Sequence, residues 1–371
     1  MKKYMNFVLT GDSNYVMPLG VTITSILHNL NTDMIPRFFL FTTDFKEADL
    51  NKLYELKNLY TCEFVNIPME KYLHYFDKID VSKFKLSYVN LVCYYRLLMF
   101  KILPEDVDKC FYIDGDMIID TNLADIYIAM TKNKIASVVI ESFAMTLKDK
   151  ILSHCYKIDD FKNFKCNALK YPYFNAGFML LNIKKAKMLK LFEKAMDFLN
   201  RNPNPPYADQ DTLNAIIGQC YPNDIIYLPP EYNVFCDFGI NNVKWNKTSY
   251  YSHNQIIKAI KNPKIYHYAG RHKPWLDYEQ NHNNIWWHYC EMSPWKNILK
   301  PQRPIKEIVS KFYIFNIFEI LQISKKHKNN QAVIKVKILK VIPFIKIKLK
   351  DNRYSLLLFN FIPLIIKKKE A

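Results

Sequence analysis

Short apolar runs alternate with segments of helical periodicity through the first 275 residues of the chain. Runs that indicate buried strands lie at residues 6–9, 38–41, 63–67, 109–113, 135–140, 174–182, 225–228 and 264–268. Apolar residues spaced as on one face of a helix lie at residues 17–30, 46–60, 88–103 and 183–200, and in a stretch that begins at Asp209. This alternation predicts an α/β fold with a mostly parallel, Rossmann-like sheet flanked by helices.

Two carboxylates stand at the end of one predicted strand. In "CFYIDGDMIID", Asp114 and Asp116 flank Gly115 directly after the apolar run 109–113, and apolar residues resume at Met117. The ligand crevice of a parallel sheet lies beyond the carboxyl ends of its strands, so these acids should point into that crevice. Together they can bind a hard divalent ion such as Mg²⁺ or Mn²⁺, which usually completes its shell with substrate phosphates. Taken alone, the motif fits a solvated loop better.

The pattern changes past residue 275. Residues 276–330 are rich in aromatic residues and contain an apolar stretch, 308–323, that predicts a helix followed by a basic cluster. Further on, two similar units, 340–350 and 360–370, alternate lysine with aliphatic residues as short strands do. We therefore expect three regions, 1–275, 276–330 and a basic amphipathic tail over 331–371.

The net charge of +17 belongs mostly to the C-terminal part of the chain. Residues 300–371 carry 17 basic and 4 acidic side chains, so the first 299 residues carry only +4. Lysines interleaved with aliphatic residues suit an anionic membrane surface. The alternative is a solvated, partly disordered extension. Nucleic acid is not the expected partner, because few aromatic residues lie among these lysines to stack on bases.

The distribution of cysteines and the lengths of the apolar runs indicate in which cellular compartment the protein resides. The eight cysteines are scattered and form no CxxC pair, which is typical of reduced core residues and argues against a zinc site. The apolar run near the N-terminus is too short for a signal peptide, and the run 355–366 is shorter than the roughly 20 residues of a spanning helix. We expect a soluble, cytoplasmic chain that attaches peripherally to the inner face of the membrane through its tail.

Four further stretches place polar residues at predicted strand ends or helix starts, namely "LTGDSNY" (9–15), "YFNAGFMLLN" (173–182), "ADQDTLN" (208–214) and "HYAGRHKPW" (267–275). His267 could add a nitrogen ligand to the two carboxylates, which favours Mn²⁺ over Mg²⁺. Arg96 is a lone charge in an apolar segment and needs a phosphate or carboxylate partner if it is buried. Singly, each stretch fits an ordinary turn, helix cap or surface loop better.

In this order, however, the stretches resemble glycosyltransferase family 8. "FYIDGDMII", "NAGFMLLN", "DQDTLN" and "HYAGRHKPW" match that family's characteristic motifs, and the resemblance spans about residues 5–276. It implies a GT-A fold and a retaining hexosyltransferase that uses UDP-galactose or UDP-glucose. The resemblance also makes a glycan or glycolipid acceptor the expected partner, with lipopolysaccharide core ahead of capsule, teichoic acid or protein.

The resemblance also implies roles by position. The uracil and ribose would contact Thr10, Asp12, Asn14 and Tyr15. Asp114, Gly115 and Asp116 would reach the donor's ribose or diphosphate, and Mn²⁺ (or Mg²⁺) would bind Asp114, Asp116 and His267. Gly270 and Lys273 would hold the diphosphate. The donor sugar would contact Arg96, Asn175, Ala176, Asp209 and Gln210, with Glu141 as a further acid near it.

A retaining transfer can proceed by two routes. In one, an enzyme carboxylate attacks the anomeric carbon; in the other, the acceptor attacks from the face that the leaving group departs. Gln210 lies where the resemblance would place a nucleophile, with Asp209 beside it, and an amide is a poor nucleophile. We therefore favour front-face attack. Two other functions stay open, a D-x-D phosphohydrolase and a basic nucleic-acid-binding protein, although the former normally has Thr or Val where Ile118 stands.

Overall fold

The computed structural model describes residues 2–79, 91–130, 132–141, 172–203, 205, 207–236, 250–270, 272–276 and 281–301, and the backbone of strands between 308 and 368. The chain divides into two compact units, Met1–Lys300 and Pro301–Ala371. Residues 88–90, the first three residues of one predicted helix, lie outside the described residues.

The first unit is built on a sheet that has seven strands among the described residues, in the order β3-β2-β1-β4-β7-β6-β8. Neighbouring strands are parallel except that β7 runs antiparallel to β4 and β6. The strands of this unit are β1 Tyr4–Gly11, β2 Ile35–Thr42, β3 Glu63–Pro68, β4 Lys109–Ile113, β5 Met117–Ile119, β6 Ala136–Ile140, β7 Phe174–Asn182, β8 Ile225–Tyr227, β9 Val234–Phe235 and β10 Ile265–His267. The mostly parallel sheet predicted from the sequence is confirmed.

Helices cover both faces of this sheet, which explains why its strands read as continuous apolar runs rather than alternating ones. In β1, Phe7 packs in a core with the helix Val16–Asn29, while its neighbour Val8 packs in a second core on the opposite face. Both residues are fully buried. The described α-helices are Val16–Asn29, Glu47–Tyr54, Met99–Ile102, Ala124–Ala129, Ile183–Met188, Leu191–Arg201, Ala208–Leu213, His253–Lys261 and Asn283–Glu291.

Two predicted helices differ in detail from the observed ones. The described part of the segment 88–103 is a 3₁₀ helix, Leu91–Leu98, that continues as one α-helical turn, Met99–Ile102. The long helix predicted over 183–200 is broken at Lys190, whose φ of 52° is left-handed. The break lets the residues on either side of it pack into one core, because Ile183 and Leu191 are both fully buried there.

A small second sheet explains why the chain becomes apolar again after its two acids. Met117, Ile118 and Ile119 form the buried strand β5, which pairs antiparallel with β10, while β10 pairs parallel with β9. The register puts His267 opposite Met117. A residue from the far end of the sequence is thereby placed next to the acids that follow β4.

The second unit is an antiparallel sheet whose strands follow one another in chain order. They are β11 Ile308–Ile314, β12 Phe318–Lys328, β13 Gln331–Ile338, β14 Ile342–Lys350, β15 Arg353–Leu358 and β16 Ile362–Lys368. The helix predicted over 308–323 is therefore wrong, because this stretch pairs as β11 with β12, and its Ile, Val, Phe and Tyr residues favour strands. The two strand-like units predicted at 340–350 and 360–370 are confirmed as β14 and β16. None of the described helices combines the length and apolarity that a membrane crossing needs.

Candidate functional site

A cavity of about 710 Å³ opens at the carboxyl ends of β1 and β4. Every residue that the sequence singled out for a site lies in its wall: Thr10, Asp12, Asn14, Tyr15, Arg96, Asp114, Gly115, Asp116, Glu141, Asn175, Ala176, Asp209, Gln210, His267, Gly270 and Lys273. Cavities of this size commonly accept a ligand as large as a cofactor. The structure brings the predicted residues together, and their individual roles stay predictions.

Two carboxylates and an imidazole converge at the centre of this cavity. Asp114 and Asp116 follow β4, and the pairing of β5 with β10 delivers His267. The imidazole Nε2 lies 3.5 Å from Asp116 Oδ1 and 3.9 Å from Asp114 Oδ2, and one ligand atom from each residue falls within 4.8 Å of the others. Two oxygens and one nitrogen in such proximity suit a divalent metal ion.

Gly177 makes this convergence sterically feasible. A Cβ atom at this position would lie 2.7 Å from Asp114 Oδ2 and 2.7 Å from His267 Cε1. Real Cβ atoms essentially never approach other atoms so closely. The glycine of the "NAGF" corner therefore leaves the space in which the three ligands meet.

Lys273 forms an ion pair with one of the acids. Its Nζ donates hydrogen bonds to Asp116 Oδ2 at 2.5 Å and to the Tyr268 carbonyl oxygen at 2.7 Å. Burial by itself would raise the pKa of Asp116, but the Lys273 ammonium and the His267 imidazole outweigh burial and hold that pKa well below its usual range. Asp116 is therefore an anion at neutral pH.

The buried Arg96 side chain is paired with two carboxylates, as a buried cation requires. Its Nη2 donates to Asp114 Oδ1 at 2.9 Å, and its Nε lies 2.9 Å from Asp209 Oδ2. Nη1 donates to the Ala176 carbonyl oxygen at 2.7 Å, and the guanidinium lies 4.3 Å from the centre of the Tyr112 ring. Burial raises the pKa of Asp209 to about 7, since the Arg96 cation is shared with Asp114 and only partly offsets burial.

An amide and carboxylate cluster lies beside the acids. Asn175 Nδ2 donates to Glu141 Oε2 at 3.0 Å and to Gln210 Oε1 at 2.9 Å. Gln210 Nε2 also donates to Glu141 Oε2, at 2.9 Å, and Gln210 Oε1 accepts from the Ala176 backbone N–H at 3.0 Å. These bonds hold the side chains of Glu141, Asn175 and Gln210 in one arrangement.

The helix that carries Asp209 and Gln210 is tied to strand β7. It starts at Ala208, whose φ of 51° is uncommon for a residue with a side chain, and passes into a π-helical turn, Asn214–Gln219. The Asn214 side chain accepts from the Phe174 backbone N–H and donates to the Phe174 carbonyl oxygen, both at 2.9 Å. The π-turn thus fixes this helix against the strand that carries Asn175.

The other end of the cavity is lined by the loop after β1. Asp12 Oδ1 accepts from the Asn14 backbone N–H at 3.0 Å and so caps the short helix Ser13–Tyr15. The Tyr15 ring meets the Trp275 ring edge to face, with centroids 6.0 Å apart. Gly270 adopts a φ of 87°, which a residue with a side chain rarely does, where the chain turns between His267 and Lys273.

Sequence reasoning assigned no role to Asn233, which bridges two site residues. Its Nδ2 donates to Asn175 Oδ1 at 2.8 Å, and its Oδ1 lies 2.9 Å from His267 Nδ1. Tyr112 donates a hydrogen bond to Asp114, and the Phe235 ring packs edge to face against the His267 ring. Asn233 follows no recognisable polar motif, and only the pairing of β9 with β10 brings it to the site.

Acidic groups outnumber basic ones in this wall. Among the described lining residues, the carboxylates are Asp12, Asp114, Asp116, Glu141 and Asp209, and the permanent cations are Arg96 and Lys273. Such a surface repels an anionic ligand unless a cation accompanies it. The excess of negative charge and the three convergent ligands both fit a site for a divalent ion.

Comparison with known proteins gives a family. A model described as glycosyl transferase family 8 matches residues 6–279. General stress protein A of Bacillus subtilis is 23% identical over 306 residues, which cover 80% of this chain and 96% of that protein. A lipopolysaccharide 1,2-glucosyltransferase of Escherichia coli K12 is 26% identical over 296 residues, which cover 79% of each chain.

A solved structure shares the fold. The galactosyltransferase LgtC, in complex with donor and acceptor sugar analogs, matches with a TM-score of 0.60 at 18% identity, over 80% of this chain and 98% of that chain. At this identity the likeness concerns the fold alone. The predicted GT-A class is confirmed for the first unit.

Proposed function

Because the chain belongs to glycosyl transferase family 8, we propose that it transfers glucose or galactose from a UDP-sugar to a glycan acceptor with retention of configuration. The observation that carries this proposal is the convergence of Asp114, Asp116 and His267 in a cavity that also holds the Glu141, Asn175 and Gln210 cluster. The three ligands would hold Mn²⁺, with Mg²⁺ as the alternative, and the amide cluster would hold the sugar.

The nucleotide would bind in the half of the cavity lined by the loop after β1. Asp12 and Asn14 offer a carboxylate and an amide there, and the edge-to-face pair of Tyr15 and Trp275 offers aromatic surface for a planar base. Thr10 lies deeper, where its hydroxyl is bonded to Tyr112 at 2.9 Å. This assignment puts the diphosphate between the loop and the three metal ligands.

Breaking the bond from the sugar's anomeric carbon to the diphosphate leaves negative charge on the diphosphate. When bound, a divalent ion at Asp114, Asp116 and His267 would offset that charge. Lys273, already buried beside Asp116, would supply a second positive charge from the protein. The Lys273 ammonium is already held by Asp116 and by the Tyr268 carbonyl oxygen, so it would need little reorganisation during the reaction.

The hydrogen bonds of Gln210 support front-face attack. Its Oε1 accepts from both Asn175 Nδ2 and the Ala176 N–H, so the lone pairs of an already weak nucleophile are engaged. The neighbouring Asp209 is buried and paired with Arg96. We infer that Gln210 and Asp209 hold the donor sugar. The acceptor hydroxyl would attack from the face that the diphosphate leaves, as the bond to the diphosphate breaks, and its proton would pass to the departing diphosphate oxygen.

The acceptor we propose is lipopolysaccharide, in its core, since the Escherichia coli relative is named a lipopolysaccharide glucosyltransferase. We also propose that the strands β12 to β15 bind an anionic membrane surface and so bring the enzyme to a lipid-linked glycan. Their registers align Ser324, Lys335 and Lys346 in one cross-strand row and Ile323, Val336 and Ile345 in the next. Lysine alternates with aliphatic residues along β13 and β14, which is the sequence pattern of an amphipathic strand.

A donor screen tests the transferase proposal. Purified full-length protein with Mn²⁺ is expected to turn over UDP-glucose or UDP-galactose, and EDTA should abolish that turnover. Asp116→Asn should reduce turnover by at least about a thousandfold because the metal loses an anionic ligand. The matched control is Asp106→Asn, which changes an acid paired with Arg37 outside the cavity wall and should leave turnover intact.

Two results would count against this function. Equal turnover in EDTA would remove the metal from the proposal. Release of phosphate from simple esters, with no activity on any UDP-sugar, would favour a D-x-D phosphohydrolase instead.

A further inference from the structure

We propose that Asn233 is a positioning residue that holds His267 in the one tautomer able to bind a metal ion at Nε2. This inference rests on the metal site of the proposed function. The claim concerns a chain of hydrogen bonds that begins at two backbone N–H groups and ends at the imidazole.

The chain of bonds runs through buried amides. Asn233 immediately precedes β9, which pairs with the β10 strand that carries His267. Asn175, Asn233 and His267 are all buried, with 7%, 6% and 3% of their surface exposed. Water is therefore a poor substitute for any partner in this chain, and each donor must meet an acceptor.

The Gly177 backbone fixes the direction of every bond. A backbone N–H can only donate, and that of Gly177 donates to Asn175 Oδ1 at 2.9 Å. This identifies Asn175 Oδ1 as an acceptor, so the Asn233 atom 2.8 Å from it must be the donor Nδ2. The remaining Asn233 atom, Oδ1, then faces His267 Nδ1 at 2.9 Å and can only accept. His267 must therefore carry its proton on Nδ1.

A second backbone group leads to the same orientation of Asn175. The Ala176 N–H donates to Gln210 Oε1, which identifies that atom as an acceptor. Asn175 therefore turns its Nδ2 towards Gln210, at 2.9 Å, and its Oδ1 towards Gly177. Two independent donors agree, so the amide orientations follow from the backbone and not from an arbitrary choice between oxygen and nitrogen.

The consequence lies at the other ring nitrogen. Because Nδ1 is used by the hydrogen bond to Asn233, Nε2 is the nitrogen left to bind an ion, and it lies 3.5 Å from Asp116 Oδ1 and 3.9 Å from Asp114 Oδ2. The opposite tautomer would point an N–H at the position of the ion. Partners that fix the tautomer of a ligating histidine typically change metal affinity by about 10- to 100-fold when they are lost.

Metal affinity is the direct readout. Binding of Mn²⁺ to the full-length protein is followed by the loss of the free-ion electron paramagnetic resonance signal. Asn233→Leu, which keeps the approximate volume but removes both hydrogen-bonding atoms, should raise the Kd for Mn²⁺ by about 10- to 100-fold. Asn233→Asp, which keeps an acceptor for Nδ1–H, should bind Mn²⁺ at least about threefold more tightly than Asn233→Leu.

The matched control is Asn6→Leu. Asn6 is another buried amide with hydrogen bonds to Lys109, Tyr127 and Arg37, but it lies near the start of β1, away from the cavity wall. Its loss should lower the melting temperature while leaving the Kd for Mn²⁺ unchanged. If Asn233→Leu binds Mn²⁺ within twofold of wild type, the proposal is wrong.

The tautomer itself can be observed in the absence of metal. Long-range ¹H–¹⁵N spectra of metal-free protein labelled with ¹⁵N-histidine distinguish a proton on Nδ1 from a proton on Nε2, with His267→Gln assigning the signal. We expect a proton on Nδ1, and an imidazole that carries its proton on Nε2 alone would overturn the proposal. If wild type fails to bind Mn²⁺, the metal part of the proposed function fails, and the spectrum still decides the hydrogen-bond assignment.

Discussion

At the scale of single residues, the site depends on the absence of one side chain as much as on those present. Gly177→Ala would place a methyl group 2.7 Å from both Asp114 Oδ2 and His267 Cε1. We expect it to weaken Mn²⁺ binding by at least about tenfold and to reduce transfer by at least as much, because the ligands must separate. Titration with Mn²⁺ measures the first effect.

Gly218→Ala is the control for that change. Gly218 lies in the π-helical turn, and a methyl carbon added there would lie 3.5 Å from both Asn214 Oδ1 and Phe174 Cε1, an ordinary contact distance. This variant should bind Mn²⁺ as wild type does. Equal Mn²⁺ affinity in Gly177→Ala and Gly218→Ala would refute the packing account of the site.

The sequence could predict which residues line the cavity wherever a polar residue stands at the end of a strand. Asp114, Asp116 and His267 all stand at strand ends, where the geometry of parallel sheets puts ligands. Asn233 could not be found this way, since its importance depends on a hydrogen bond across two strands. Glu141 lies between these cases, because it follows β6 but sits in no motif.

At the scale of elements, the strands of the seven-stranded sheet were predictable, and the continuity of the helices was not. The strand Phe174–Asn182 matches its predicted bounds because nine consecutive residues form one mostly buried run. Lys190 breaks a helix although the apolar periodicity of the sequence continues through it. The break could not be predicted, because the left-handed backbone at Lys190 depends on the packing of the residues on either side and not on periodicity. The segment 308–323 has helical length and apolar content, yet its described residues form β11 and the first part of β12, which pair with each other.

The short strand β5 places His267 in the site through its pairing with β10, and no local sequence pattern predicts that pairing. Three apolar residues after the acids fit a turn, a strand or the start of a helix equally well. Its antiparallel partner β10 lies about 150 residues away, and the register of that pair is what sets His267 beside the acids. Long-range pairing of this kind is the part of the fold that local patterns cannot supply.

The strands of the second unit carry a prediction of their own. Full-length protein should co-sediment with vesicles that contain anionic lipid and not with neutral vesicles, and salt should weaken the association. Lys335, Lys346 and Lys348 lie on the paired strands β13 and β14. Changing all three to Gln should weaken binding by up to about a hundredfold, since each lysine near such a surface contributes about 1 kcal/mol.

The control for this change neutralises three exposed lysines of the first unit, Lys57, Lys258 and Lys261. It removes the same charge and should leave vesicle binding nearly unchanged. Equal loss in both triple variants would mean that net charge alone drives the association. Preferential binding of RNA or DNA over vesicles would favour the nucleic-acid alternative.

At the scale of the whole molecule, most of the net positive charge lies in the second unit. The cavity of the first unit carries an excess of carboxylates, whereas residues 300–371 carry a net +13. An acidic cavity requires a cation before it can hold a diphosphate, and a basic sheet is suited to anionic lipid. Family membership and fold identify a family 8 glycosyltransferase, and its dependence on a metal and its attachment to a membrane are the proposals that the experiments above test.

Electron spin echo envelope modulation of the Mn²⁺-loaded protein tests the metal site most directly, because it detects ¹⁴N bonded to the ion. Wild type should show the modulation of one imidazole, and His267→Gln should lose it while still binding Mn²⁺ through the two acids. His272→Gln, which alters a histidine of the same motif that is not in the cavity wall, should keep it. Absence of ¹⁴N modulation in wild type, or its persistence in His267→Gln, would contradict the proposed site.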